Sequence, residues 1–361
     1  MKSLIFLLAA CAATAALAAD HPPTTVSISG EKFLLNGKPT YPGRMWDGVS
    51  LEGMLMNSRM VQGAFDDLNP ATRARWTFPD GKPWDANRNT SEFIAAMPEW
   101  KRHGLLAFTL NLQGGSPEGY SREQPWINNA FEADGTLRAD YKARTARILD
   151  RANELGMVVI LGIFYFGQDE RLKDEAAVIR AVDESVDWLF TRGDRHVIIE
   201  INNECNVRYD HAILKPDRVH ELIARVRDRK KDGYRFLVGT SYGGGRVPDD
   251  SVVKVSDFIL IHGNGVTDPA RITDMVKKTR ALPSWRPMPI VFNEDDHFDF
   301  DKPTNNFVAA VRAGASWGYF DYRMKGETFA DGYQSVPVDW GINSARKKAF
   351  FAKLREITGG L

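Results

Sequence analysis

Apolar and polar positions along this chain fall into a recurring unit. A short β-like apolar run ends in a polar turn, and a stretch with helical spacing follows. Leu105 to Leu112 reads as a strand, Asp140 to Leu155 as a helix stopped by Gly156, and Met157 to Phe164 as a strand buried on both faces. Glu170 to Thr191 is then a helix, His196 to Ile201 a strand, Asp217 to Lys231 a helix and Tyr234 to Thr240 a strand. Asp257 to Ile261, Pro289 to Phe292 and Ala315 to Tyr319 continue the strands. Pro269 to Arg280, Phe307 to Ala313 and Ala345 to Ile357 continue the helices.

The beginning of the chain is less periodic. Val26 to Ser29 and Lys32 to Leu35 are short strands, and Asn36-Gly37 is a two-residue turn signal. Together they predict a hairpin capping the bottom of a larger fold. Met54 to Phe65 is apolar without a clear period, and residues 66 to 90 read as a long loop over the functional face. A helix is expected to open at Thr90-Ser91-Glu92, with Ser91 as its N-cap.

Strands that alternate with helices pair in parallel through right-handed crossovers. Seven strands are defined after Gly104, and an eighth is expected within residues 39 to 62. The fold class is therefore α/β, a (β/α)8 TIM barrel with a short N-terminal β-hairpin. An open doubly wound sheet is the competitor, but no Gly-x-Gly-x-x-Gly follows the first strand.

Residues 1–19 read as a signal peptide: Lys2, an apolar stretch, then the Ala16-Leu17-Ala18 cleavage pattern. Residues 20–361 then form a single barrel domain, exported to the periplasm or beyond. Leu8-Ala9-Ala10-Cys11 also resembles a lipobox, so a lipoprotein anchored through Cys11 is the alternative. After cleavage Cys205 is the remaining cysteine, so no internal disulfide is expected. The 47 basic residues balance the 47 acidic ones, which gives no reason to expect a nucleic-acid partner. No membrane span is expected either.

Reactive groups in a parallel barrel sit at the C-terminal strand ends. Here those ends carry Asn111 and Gln113, then Tyr165, Asn203 and Glu204, Ser241 and Tyr242, His262 and Asn264, Glu294, and Trp317, Tyr319 and Asp321. Ile290, Phe292 and Glu294 share parity, so Glu294 rises into the mouth if the first two fill the barrel. Glu204 ends a strand three units earlier and is expected to face it. Two carboxyl groups flanking one acetal can protonate a leaving oxygen on one side and attack the sugar carbon on the other. Environment can separate their proton affinities for those tasks.

The runs Ile198-Ile199-Glu200-Ile201-Asn202-Asn203-Glu204 and Pro289-Ile290-Val291-Phe292-Asn293-Glu294 resemble strands four and seven of glycoside hydrolase clan A, the retaining barrel glycosidases. The resemblance spans roughly residues 90 to 325. It implies a carbohydrate substrate and no cofactor, with Glu204 as acid/base, Glu294 as nucleophile and Asn203 on the sugar 2-hydroxyl. His262 matches the strand-six histidine, and Trp317 the strand-eight aromatic under the sugar. Tyr165, Tyr242, Asn111 and Gln113 join them as substrate-binding candidates, and Arg59 is assigned as the arginine near the nucleophile. Cys205 stands where many members have proline, and His262-Gly263-Asn264 where many have His-x-Tyr. Tyr165, Tyr242 or Tyr322 could take that tyrosine's role.

Two other classes stay open at this level. One is a sugar-binding barrel without activity. The other is a metal-dependent hydrolase using Asp295-Asp296-His297 with His262, although no His-x-His pair occurs. A serine hydrolase lacks its Gly-x-Ser-x-Gly elbow.

Overall fold

The computed structural model describes residues 23–361. The expected leader, its cleavage site and Cys11 lie outside the described residues.

β1 (Val26–Ser29) and β2 (Lys32–Leu35) form the expected hairpin, and β3 (Lys38–Pro39) adds an antiparallel third strand. Asn36 and Gly37 turn with φ of 50° and 77°, the two left-handed positions a tight hairpin demands. The Val26 N–H donates to Arg195 O at 2.8 Å, and Phe33 packs on Phe258. Both partners stand just before barrel strands, so the small sheet covers the N-terminal end of the barrel. A second hairpin, β4 (Met45–Trp46) and β5 (Val49–Ser50), leads into it.

The barrel strands are β6 (Asn57–Arg59), β7 (Ala107–Asn111), β8 (Val158–Phe164), β9 (Val197–Asn202), β10 (Leu237–Gly239), β11 (Ile259–His262), β12 (Ile290–Glu294) and β13 (Gly318–Tyr319). A helix follows each in turn: α1 (Ala86–Arg102), α2 (Ala139–Leu155), α3 (Glu175–Arg192), α4 (Val219–Asp228), α5 (Asp250–Val255), α6 (Pro269–Arg280), α7 (Asn306–Arg312) and α8 (Ala345–Thr358). All ladders among these strands are parallel. Six strands form one sheet in the order β10-β9-β8-β7-β6-β13, while β11 and β12 form a separate pair. Isolated hydrogen bonds and bridges close the circle. Asp257 N–H reaches Val238 O at 2.9 Å on one side, and Phe292 N–H reaches Ser316 O at 2.9 Å on the other.

Caps and stops explain the helix boundaries. Asp85, Asp174, Asp268, Asn305 and Ser344 accept backbone N–H groups at helix starts, which satisfies donors the first turn leaves free. Gly156, Gly193 and Gly359 end three helices in the left-handed conformation. The expected start at Ser91 is corrected: α1 opens at Ala86 under Asp85, and the Ser91 hydroxyl bonds back to Asn87 O inside it. The long loop thus ends at residue 85. Trp76 and Trp84 are buried there against Phe65, Phe78 and Trp126. α5 was not anticipated, because 6 residues are too few for a helical period to show.

Candidate active site

The C-terminal strand ends gather a carboxylate pair around one histidine. Glu294 is the last residue of β12. The β11–β12 register shifts between Ile261 and His262, so that His262 pairs with Glu294. This irregularity sets the imidazole beside the carboxylate. Glu204 follows β9 with φ of 52°, a left-handed backbone that is unfavourable outside glycine. Its N–H donates to Ser241 Oγ at 2.9 Å and the next N–H, of Cys205, to Ser241 O at 2.9 Å. These two bonds hold the kink that lays the Glu204 side chain against His262.

His262 Nδ1 lies 2.9 Å from Glu204 Oε1 and 3.7 Å from Glu294 Oε2. The facing side-chain atoms of all three residues lie within 4.8 Å of one another. Asn264 Nδ2 donates to Glu294 Oε1 at 2.6 Å. Arg59 Nε stands 2.8 Å from Glu294 Oε2 as an ion pair. Oε2 accepts no well-aligned hydrogen bond from the described residues. One oxygen of Glu294 is therefore tethered by an amide, while the other is buried and charge-paired. The side chains of Glu294 and Glu204 are 6% and 14% exposed, so both are shielded while Glu204 is the more accessible.

Below the pair, Glu200 is fully buried on β9. Its Oε1 accepts from Ser241 Oγ and Asn293 Nδ2. Arg59 feels Glu294, then Glu200, Tyr165 and Glu204, and their charges outweigh burial and raise its already high proton affinity. Desolvation lowers the proton affinity of His262, and Glu294 and Glu204 more than reverse that, so it stands raised. The two carboxyls titrate as one coupled pair. Burial raises both, but at Glu204 the His262 hydrogen bond and charge win and hold the carboxyl below its usual range. At Glu294 burial wins over Arg59 and His262, and the carboxyl stands above it.

The structure brings Glu204, Glu294, His262 and Arg59 together, with Tyr165 near by: its ring abuts Gly114 and its charge environment includes Arg59, Glu294 and Glu204. A Cβ at Gly114, where φ is 70°, would come within 2.6 Å of Tyr165. Asn203 is buried next to Glu204, and neither polar atom of its amide has a partner among the described residues. Asn111 is buried over Gly162 inside the barrel, likewise without an amide partner.

Three predicted side chains do not join this group. Gln113 ties loops together, donating to Asn129 Oδ1 and Gln168 O. Tyr242 lies by Cys205 and Asp249. Trp317 is fully buried between the sheet and the helices, stacked on Phe307 at 4.7 Å, and its Nε1 donates to Asp295. Strand alternation explains the last case: Tyr319 shares its parity and stacks on Phe350 of α8. Asp321 likewise pairs with Arg346 of α8. Phe320 has the opposite parity and meets Tyr120 and Tyr322 edgewise or tilted at the mouth.

Asp295, Asp296 and His297 do cluster. Asp295 is engaged by Trp317, Asn306 and His297, and Asp296 by Tyr120 and Gly265.

The sequence marked Asn264 at its strand end without giving it a role, and it gave none to Tyr120 or Glu200. Glu200 had a readable signal, a lone charge inside an apolar strand. Tyr120 had none, since it sits in the irregular β7–α2 connection.

Fold and site together define an α/β barrel with a paired-carboxylate mouth. No protein-family model matches the chain, and no curated protein sequence matches it. Among solved structures it is similar to the endo-1,4-beta-mannanase from Rhizomucor miehei. The TM-score is 0.56 at 11% identity, over 93% of this chain and 99% of that one. A glycoside hydrolase family 5 enzyme from Prevotella bryantii B14 gives 0.53 at 11%, over 84% and 95%. The glycoside hydrolase family 5 mannosidase from Rhizomucor miehei gives 0.54 at 12%, over 93% and 97%. The chain thus has the (β/α)8 fold found in clan A glycoside hydrolases.

Proposed function

We propose that this protein is a retaining glycoside hydrolase that cleaves O-glycosidic bonds of an oligo- or polysaccharide. The observation that carries the reading is that one oxygen of each carboxylate lies within 4.8 Å of the other beside one histidine. Retaining enzymes hold their carboxyl groups at roughly 5–5.5 Å, whereas inverting ones leave about 6.5–9.5 Å for a water.

Glu294 is the nucleophile. Asn264 donates to Oε1 and Arg59 pairs with Oε2, so the carboxylate is held by both oxygens as it meets the anomeric carbon. Arg59 steadies its charge before attack and the leaving carboxylate after it. Glu204 is the acid/base, and it must carry a proton when the glycosidic oxygen departs. His262, whose proton affinity its carboxylate neighbours raise, is the store of that proton, since its hydrogen bond and charge hold Glu204 below the usual carboxylate range. Entry of the sugar brings an oxygen against Glu204, and the proton crosses the 2.9 Å bond from imidazole to carboxylate. Bond cleavage passes it on to the leaving group and leaves a glycosyl ester on Glu294. Water then gives one proton to Glu204, adds its oxygen to the sugar carbon and frees Glu294. Asn203, beside Glu204, bonds the sugar, a reading its unpartnered amide supports.

The test is product stereochemistry. NMR early in turnover of a substrate drawn from a glycan screen is expected to show the retained anomer first. The inverted anomer as first product rejects the mechanism, and binding of glycans without turnover of any rejects the enzyme.

His262 gives a second expectation. In the wild type the working proton is lost with an imidazole whose affinity is raised. In His262→Ala it is lost from the Glu204 carboxyl alone. The alkaline limb of kcat/KM is therefore expected to move to lower pH, with kcat reduced about 100-fold. An unmoved limb removes His262 from the proton path.

A further inference from the structure

We propose that Tyr120 and Asp296 act as positioning residues for Glu294, by dictating which end of the Asn264 amide faces it. The proposal rests on the reading of Glu294 as nucleophile.

The argument is one of hydrogen-bond polarity. An amide offers donors at one end and an acceptor at the other, and a simple rotation exchanges them. Turned one way, Asn264 donates to Glu294 and favours its ionised form. Turned the other way, it would set a carbonyl oxygen against a carboxylate. The chain of contacts removes the choice. Asp296 takes the Gly265 N–H on Oδ1 and the Tyr120 hydroxyl on Oδ2, at 3.2 and 3.0 Å. An ionised carboxylate only accepts, so the single phenolic proton points to Asp296. The Tyr120 oxygen then presents a lone pair to Asn264, which must answer with N–H. It does so at 2.8 Å, and the same Nδ2 spends its second hydrogen on Glu294 Oε1 at 2.6 Å. Asn264 Oδ1 has no partner among the described residues, so nothing there favours the reverse orientation.

Tyr120 reaches this position from the β7–α2 connection, across the mouth from β11 and β12. Its ring rests edgewise on Phe320 and Tyr322, 5.5 and 4.9 Å between centroids. It is 55% exposed, so its hydroxyl can be removed without opening a core. The charged or titratable groups facing Glu294 are Arg59 from β6, His262 from β11, Glu204 after β9, Tyr165 after β8 and Tyr120 itself.

The test uses the full chain with 13C-labelled glutamate carboxyls, Glu294 being assigned by its absence in Glu294→Gln. Tyr120→Phe keeps the ring and loses the hydroxyl. Asp296→Asn keeps the size and can donate, which frees the relay to reverse. Tyr120→Phe is expected to raise the Glu294 titration by about half a unit and move the acid limb of kcat/KM by the same amount; in Asp296→Asn the lost negative charge pulls the titration the other way, so that variant is read through kcat. Each should also lower kcat about ten-fold, against a smaller change in KM. Should Asp296→Asn fail to fold, Tyr120→Phe carries the test alone. A Glu294 titration unmoved in folded Tyr120→Phe overturns the relay. Should the wild type turn over no glycoside while Tyr120→Phe still moves the titration, the relay stands and the glycosidase reading falls.

Discussion

Glu294→Ala is expected to lower turnover of an aryl glycoside by on the order of 10⁴-fold or more, while sugar binding survives. The size follows from the chemistry: with no carboxylate beneath the anomeric carbon there is no covalent route, and the other groups act in concert with it. Added azide makes the result specific. In Glu294→Ala it can attack only from the vacated side and should give a glycosyl azide of inverted configuration. In Glu204→Ala the ester still forms when the leaving group needs no proton, and azide then displaces Glu294 to give the retained product. The product anomer of each variant, read by NMR, checks both roles in one pair of experiments. If the azides appear with the opposite assignment, the two glutamates have exchanged roles.

Arg59→Met is the second large effect, and it falls on stability as well as rate. Arg59 is 1% exposed, pairs with Glu294 at 2.8 Å and also feels the charge of Glu200. Removing one partner of a buried ion pair typically destabilises by about 3–5 kcal/mol, since the remaining charge stays desolvated. The direction with pH is fixed by the sign of the shift. Glu294 already stands above its usual range through burial, and losing Arg59 raises it further. A carboxyl with a raised folded pKa stabilises at pH below its unfolded value, and that contribution is lost as pH rises through the folded value. The variant is therefore expected to show its largest stability deficit at neutral pH and to recover part of it toward pH 5. Urea midpoints at the two pH values measure this. Adding Glu200→Gln should restore part of the stability and none of the activity, which separates the ion-pair role from the clamp on the nucleophile.

Much of this architecture was legible before any coordinates. The strand–helix alternation marked the barrel because strands buried on both faces, such as β8, leave an unbroken apolar run. Glu204 and Glu294 stood out as carboxylates at strand ends. What escaped depends on geometry the period cannot carry. The sequence places Trp317 at the end of the last strand, but only parity across a two-residue strand tells that it faces α7 and α8 while Phe320 faces the mouth. The register shift beside His262 and the left-handed backbone of Glu204 are single-residue events, and they aim the side chains that meet. Tyr120 is a tertiary accident of loop path. α1 starts six residues earlier than the sequence suggests, because Asp85 and Ser91 are both competent caps and burial of Asn89 and Thr90 decides between them.

One consequence follows from the way the circle is joined. Glu204 hangs from the larger sheet and Glu294 from the two-strand one, and between β10 and β11 the joint rests on isolated bonds such as Asp257 to Val238. The reactive gap therefore straddles a fault line, bridged near the top by the imidazole of His262. Heat or denaturant that loosens this fault line changes the spacing of the acids while every helix is still formed. The molecule should fall silent as a catalyst before it melts as a protein.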